Sequence, residues 1–391
     1  MSSHLNEWFS LALRWLHVIA GIVWIGESFY FMWLDSSLKR DDDMPPEVAG
    51  ESWSVHGGGF YRVAKFRVAP TGMPEGLHWF KWEAYTTWIS GIFLLMVVYW
   101  LQASAWMVNA DGINPAMAVG VGMTTILAGW GVYDLLCKSK LGDRPAALGV
   151  TLLLFATGVA YVLSHLLAPR AAYIHVGAMI GTWMAGNVAM VIIPNQKIVV
   201  ADLLAGRTPD AKYGKIAKLR STHNNYLTLP VVFVMISNHY PSTYGHSASW
   251  AILLGIFAVG AITRVFFNAR NAGRINLWAL PVATALFIAL VMLSAPQPRD
   301  AAPGPATWEQ VAPIIQTHCV GCHSANPTDP IFTIAPNGVV YDTPEQVSSK
   351  ASAIQQRAVD TPTMPLGNRT GMTDAERATL GAWIAGGARI P

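Results

Sequence analysis

Cysteine is nearly absent, with three in 391 residues, so no disulfide framework can hold this chain together. Charge is scarce too: Asp, Glu, Lys and Arg make up 13%, against roughly a quarter in an ordinary soluble domain. With 52% hydrophobic residues, that deficit points to a membrane. A net charge of +3, with no basic patch interleaved with aromatics, argues against a nucleic-acid partner. No G-x-x-x-x-G-K loop accompanies the Gly57-Gly58-Gly59 run, which reads as a flexible turn and not a phosphate cradle. No Cys/His cluster stands at zinc spacing. The N-terminus lacks a basic n-region, and the apolar stretch from Leu11 to Leu34 exceeds the core of a cleavable signal, so it reads as a first transmembrane helix.

What is present is apolar and long. Crossing a bilayer core takes about 20 mainly apolar residues, and eight segments qualify: 10–34, 84–103, 114–136, 146–167, 171–193, 224–240, 249–267 and 277–295. Lys and Arg concentrate in the first, third, fifth and seventh connections, and are absent from the second and sixth. The positive-inside rule then makes the odd connections cytoplasmic and leaves both chain ends outside. After Ala295 the composition changes to a Pro/Ala-rich linker, semi-rigid and extended. The predicted organisation is an integral membrane domain (1–295), a linker (296–306) and an exported domain (307–391). The fold class is all-α: an eight-helix transmembrane bundle followed by a small class-I-like cytochrome c.

Cys319-Val320-Gly321-Cys322-His323 carries that last assignment. C-x-x-C-H is the covalent attachment site of a c-type haem: two thiols one helical turn apart form thioethers, and His323 becomes the proximal ligand. Attachment happens outside the cytoplasm, in agreement with the charge-derived topology. Trp308 to Gln316 reads as the preceding helix. Met364, in Thr363-Met364-Pro365, is favoured as the sixth ligand, and methionine ligation raises the potential. Its competitor Met372 precedes a capping box, Thr373-Asp374-Ala375-Glu376, opening a helix to about Ala385, so packing suffices to explain it. His318 reads as a surface or supporting residue, and Cys137 as a buried, inert thiol.

Ionisable residues within spans are expensive and mark function. An outer group holds His17, His165, His175 and His239, with Arg14 and Arg170 beside them. At about 1.5 Å per residue, His17 and His175 fall at similar depth, a geometry suited to a bis-His b haem whose propionates meet Arg14 and Arg170. His165 or His239 could replace either one. Each histidine could equally bond a neighbouring carbonyl and order the bundle. An inner group holds Glu27, His56, His78, Lys81, Glu83, His223, Asn224 and Asn225, among Trp79, Phe80, Trp82 and Tyr226. Glu27 lies well inside the first span, so it is protonated, paired or facing a wet cavity. Lys81 and Glu83 also fit plain interfacial anchors.

Arg14-Trp15-Leu16-His17 through Trp24-Ile25-Gly26-Glu27, Leu77 to Tyr85, and Thr222-His223-Asn224-Asn225-Tyr226 resemble the membrane-bound urate oxidases that carry a C-terminal cytochrome c domain. The resemblance covers nearly the whole chain. It implies oxidation of urate to 5-hydroxyisourate, with electrons passed to haem c and on to a soluble cytochrome c or the respiratory chain, so that no peroxide forms. The implied setting is a bacterial inner membrane, with the cytochrome domain in the periplasm. Under it, Trp79, Trp82 and Tyr226 offer stacking faces, Asn224 and Asn225 read the purine edges and Lys81 supplies charge. Glu27, Glu83 or His223 removes the priming proton. The rival readings are a quinol-oxidising membrane cytochrome and a respiratory-complex subunit.

Overall fold

The computed structural model describes residues 3–67, 76–110, 112–295, 304 and 306–391. All eight apolar segments lie on helices. The first is in α1 (Ser3–Ser37); the second is α2 (Trp82–Leu95), continued by a π-helical turn, Met96–Trp100, and followed by the short α3 (Ala103–Trp106). Next come α4 (Pro115–Lys138), α5 (Pro145–Leu166) and α6 (Pro169–Gly186), each opening on a proline whose missing N–H is no loss in a first turn. A second π-helical turn, Asn187–Ile192, joins α6 to α7 (Ile193–Leu204). The bundle closes with α8 (Ala211–Ser237), α9 (Pro241–Tyr244), α10 (Ser249–Asn271) and α11 (Ala279–Leu293). Five stretches are long and apolar enough to cross a membrane: Glu7–Ser37, Pro115–Lys138, Pro145–Leu166, Pro169–Leu204 and Ser249–Asn271. That is the pattern of a multi-pass membrane protein.

α6 is the core of the bundle. It is buried nearly all round, as an apolar helix without a polar face must be. Glycines on α4 make room for it: a Cβ at Gly122 would sit 2.5 Å from the His175 ring, and one at Gly129 2.5 Å from Met179. The connections sort to two ends. Lys218 pairs with Asp35 at 3.7 Å and Lys215 with Asp143 at 3.5 Å, so the first, third and fifth connections, rich in Lys and Arg, share one end. At the opposite end the Ala168 N–H donates to the Met107 carbonyl at 2.9 Å, tying the start of α6 to the segment after α3.

Two expectations need correction. The chain is not purely helical: β1 (Val48–His56) and β2 (Gly59–Phe66) form an antiparallel hairpin at the basic end. Its turn is ordered, with φ of 58° at Gly57 and 79° at Gly58, the two left-handed positions of a type I′ turn. The alternation of Val48–His56 was hidden by its polar members. The proposed linker, 296–306, lies outside the described residues except for Gly304 and Ala306.

The C-terminal part folds as α12 (Trp308–His318), α13 (Pro344–Ser349), α14 (Ala351–Ile354) and α15 (Asp374–Ala385), around Val311, Ile315, Val347, Leu380 and Trp383. The Thr373 capping box is formed, with the Thr373 N–H donating to Glu376 at 2.7 Å. That hydrogen bond and the one from the Thr373 hydroxyl hold the Glu376 carboxyl at about 2, well below its ordinary 4.5. A depressed carboxylate stabilises the fold above its unfolded pKa and loses that contribution as pH falls through the folded value. The ellipticity of α15 is therefore expected to stay level down to about pH 4.5 and to decline between there and about pH 2. Thr373→Ala should flatten that acid dependence and cost about 1 kcal/mol. Acid titration followed by circular dichroism checks both.

Candidate functional site

The residues around C-x-x-C-H fit haem c. α12 ends at Cys319, and the following turn is closed by the His323 N–H donating to the Cys319 carbonyl at 2.9 Å. This brings both thiols and the imidazole to one place. The His323 Nδ1 lies 3.1 Å from the Val339 carbonyl, which makes it the protonated nitrogen and leaves Nε2 free to ligate. Tyr341 stands beside the ring at 5.2 Å. Burial pushes the Cys319 thiol up to about 12 and Cys322 to about 11, an environment that suits neutral thioethers better than thiolates.

Met364 packs against the same core, and its carbonyl accepts from Arg377 at 2.7 Å. Met372 is 3% exposed, and its N–H donates to the Asn368 side chain at 3.0 Å, as a core residue before a helix cap would. His318 bonds Thr370 and Glu376 and is a supporting residue. The two methionines should separate cleanly on mutation. Met364→Ala should lower the haem potential with little loss of stability. Met372→Ala should leave the spectrum intact and cost about 2–5 kcal/mol. Visible spectra and denaturant midpoints distinguish them.

In the bundle, the inner polar residues form two clusters. In the first, the Tyr133 hydroxyl lies 2.9 Å from His223 Nδ1 and accepts from Asn187 Nδ2 at 2.7 Å. Arg220 donates to Asn187 at 3.2 Å and to Asp134 at 2.6 Å, and Tyr133 stacks on Trp183 at 4.9 Å. Asn224 is consumed here: it donates to the Met184 carbonyl at 3.0 Å and accepts from Asn187 at 2.9 Å. It holds α8 to α6. Cys137 is buried within 3.8 Å of His223.

The second cluster joins α1, α8 and α10. Asn225 Oδ1 accepts from Arg264 at 3.2 Å and from Asn268 at 3.0 Å, and the Arg264 guanidinium lies 4.1 Å over the Phe29 ring. Asn225 is 0% exposed, yet its Nδ2 has no hydrogen-bond partner among the described residues. A separate pair lies on α1 and α2: one buried oxygen each of Glu27 and Glu83 is also orphaned, and these two carboxylates lie within electrostatic reach of each other. Buried polar groups left unsatisfied are rare and call for a partner, whether a ligand, an ion or a bound water. Tyr226 lies within electrostatic reach of Arg264.

The aromatic assignments fare differently. Trp82 is 64% exposed, with the Lys81 ammonium 5.7 Å from its ring. Trp79 packs on Ala84, Val188 and Ile193. His78 stands exposed against Phe80, and His56 ends β1. Phe29, Tyr133, Asn187, Arg220 and Arg264 were missed. Arg220 lies on α8, which starts at Ala211, and Arg264 on α10, which runs to Asn271. Asn187 and Asp134, polar residues within or at the end of apolar runs, were the available signal.

The His17–His175 pairing does not fit a b haem, because one member has no nitrogen to spare. His175 is 0% exposed with both ring nitrogens used: Nδ1 meets the Ala171 carbonyl at 2.8 Å and Nε2 accepts from Trp100 at 3.1 Å. His17 turns to α2 through Nδ1, 2.9 Å from the Thr87 carbonyl and 3.1 Å from the Ser90 hydroxyl, and its Nε2 takes no part in either contact. Helix packing claims these imidazoles for different neighbours. His165 sits on its own helix's Tyr161 carbonyl at 2.8 Å, and His239 is exposed. Arg14 and Arg170 do come within electrostatic reach of each other, with Arg170 donating to Asn238 at 2.9 Å and lying 4.9 Å over Trp106.

No curated protein and no solved structure matches the chain. Residues 3–295, the whole bundle, match the family described as urate oxidase N-terminal. The span of that match equals the domain that holds both buried polar clusters. The chain therefore belongs to the urate oxidase N-terminal family, and its five long apolar helices are consistent with a multi-pass membrane protein.

Proposed function

We propose that this protein oxidises urate to 5-hydroxyisourate with water as the oxygen source and delivers the electrons to haem c held by Cys319, Cys322, His323 and Met364. What carries the reading is family membership across residues 3–295 followed, in the same chain, by C-x-x-C-H. The overall change is urate plus water giving 5-hydroxyisourate, two protons and two electrons. Covalent haem supplies a one-electron acceptor, so each urate fills it twice and an external cytochrome or respiratory acceptor empties it twice. Dioxygen takes no electrons, and no peroxide is made.

The orphaned atoms have chemistry complementary to the edges of urate, which supports this reading. Glu27 and Glu83 can accept ring N–H groups, Asn225 Nδ2 can donate to a urate carbonyl, and Arg264 over Phe29 supplies positive charge beside an aromatic face. A carboxylate or His223 takes the proton that primes the purine for electron loss, and general-base help to water completes addition at C5. His223 is held by Tyr133, which fixes its orientation. The sorting of basic connections to one end supports an inner-membrane setting with the C-terminal domain in the periplasm.

Anaerobic mixing of purified protein, urate and oxidised cytochrome c tests the reading. Loss of urate with stoichiometric cytochrome reduction and no peroxide is expected. Cytochrome reduction by a quinol, with urate untouched, would install the quinol-oxidising alternative instead.

A further inference from the structure

The C-terminal domain does not stand clear of the bundle. Its landing site is the end opposite the basic connections, and the segment that touches down is the one carrying Met364. The Ala110 N–H donates to the Gly367 carbonyl at 2.9 Å. A Cβ on Gly367, whose φ is +61°, would sit 2.7 Å from the Val108 carbonyl oxygen. Across the same seam, a Cβ on Gly245 would sit 2.8 Å from Thr363 Cγ2. Phe332 meets Trp106 edge-on at 6.0 Å. Glycine on both sides lets the two backbones meet at hydrogen-bond distance, a contact that side chains would prop open.

Charge at this seam is one-sided. Arg357 lies within electrostatic reach of Tyr341, beside His323 in the haem crevice, and also hydrogen-bonds Tyr244 of α9. Tyr244 is within reach of Arg170, and Arg170 within reach of Arg14. Among the described residues no carboxylate pairs with any of the three arginines. Like charges gathered at a low-dielectric boundary are unfavourable without an anion between them. Haem c brings two carboxylates of its own.

We propose that the bundle forms one wall of the haem site: Tyr244 and Arg170 join Arg357 in holding the haem carboxylates, and the C-terminal domain works docked, not swinging on its linker. The inference rests on the haem c reading above and assigns Arg14 and Arg170 to the c haem instead of a b haem. Arg357 and Tyr341 shape the crevice from within, and docking adds a second cation and a phenol from the bundle. A cation close to the haem carboxylates favours the ferrous state, so the bundle tunes the acceptor as well as holding it.

The test uses purified, haem-loaded full-length protein poised at a fixed potential with mediators, so that urate is not involved. Arg170→Gln should lower the ratio of ferrous to ferric haem at least about threefold. Tyr244→Phe, which keeps its packing, should lower it in the same direction, and Arg274→Gln at the far end should leave it unchanged. An unchanged ratio in Arg170→Gln or in Tyr244→Phe would overturn the proposal. Colourless wild-type protein would overturn the haem reading with it. Coloured protein with shifted ratios that leaves urate untouched would remove the substrate reading alone.

Discussion

Cys319→Ser combined with Cys322→Ser is expected to yield colourless protein that still binds urate and oxidises it at least about a thousand-fold more slowly with a cytochrome acceptor. Without thioethers, a haem would be held only by reversible contacts, His323 and Met364 at the iron and the cations at its carboxylates, and could dissociate. Urate can then bind and lose a proton but has nowhere to send two electrons, because the redox chemistry belongs to the cofactor and not to side chains. Pyridine haemochrome spectra, urate equilibrium dialysis and the fall in urate absorbance measure the three parts separately. Full urate turnover in colourless protein would show that the C-terminal domain is not the electron outlet.

Glu27→Gln and Glu83→Gln come next in size. Glutamine keeps the shape and loses the proton acceptor, so the variant that removes the general base should lose about 10²- to 10⁴-fold in kcat with KM little changed. The other variant, having lost only a hydrogen-bond acceptor for a urate N–H, should show its effect mainly in KM. Asn225→Leu, which cannot donate to a urate carbonyl, should also raise KM. If His17 and His175 hold no b haem, the distance electrons travel depends on where urate sits. If the two glutamate variants turn over normally while Tyr99→Phe abolishes activity, urate binds beside the docked domain and the inner assignment is wrong, because the Tyr99 hydroxyl donates to Asn238 at 3.3 Å within reach of Arg14 and Arg170.

The contrast between the two halves of the site is instructive. C-x-x-C-H is local: five consecutive residues put two thiols and an imidazole within one turn, and Trp308–His318 formed as the preceding helix almost to the residue. The capping box at Thr373 is local too. Asn224 and Asn225 show the opposite limit. Adjacent in sequence, they point about 100° apart on a helix, so one is spent bridging α8 to α6 while the other keeps an unpartnered N–H. Nothing in their spacing distinguishes these fates. Trp82 misled for a related reason: aromatic type says what a side chain can do, whereas its position on the outer face of α2 decides what it meets.

His17 and His175 define the boundary most sharply. Counting residues from each span's outer arginine gives depth, but a ligand pair also needs free nitrogens aimed at a common point. Composition, apolar run length and the distribution of Lys and Arg sufficed for the helical membrane domain and its two-ended sorting, because transfer from water to lipid depends on residue type summed over a span. Hydrogen-bond allocation, the rotation of each helix about its axis and the seating of the C-terminal domain on α3 and α9 were settled only in three dimensions. Those features depend on which side chain reaches a shared partner first, and packing between segments far apart in the chain determines that.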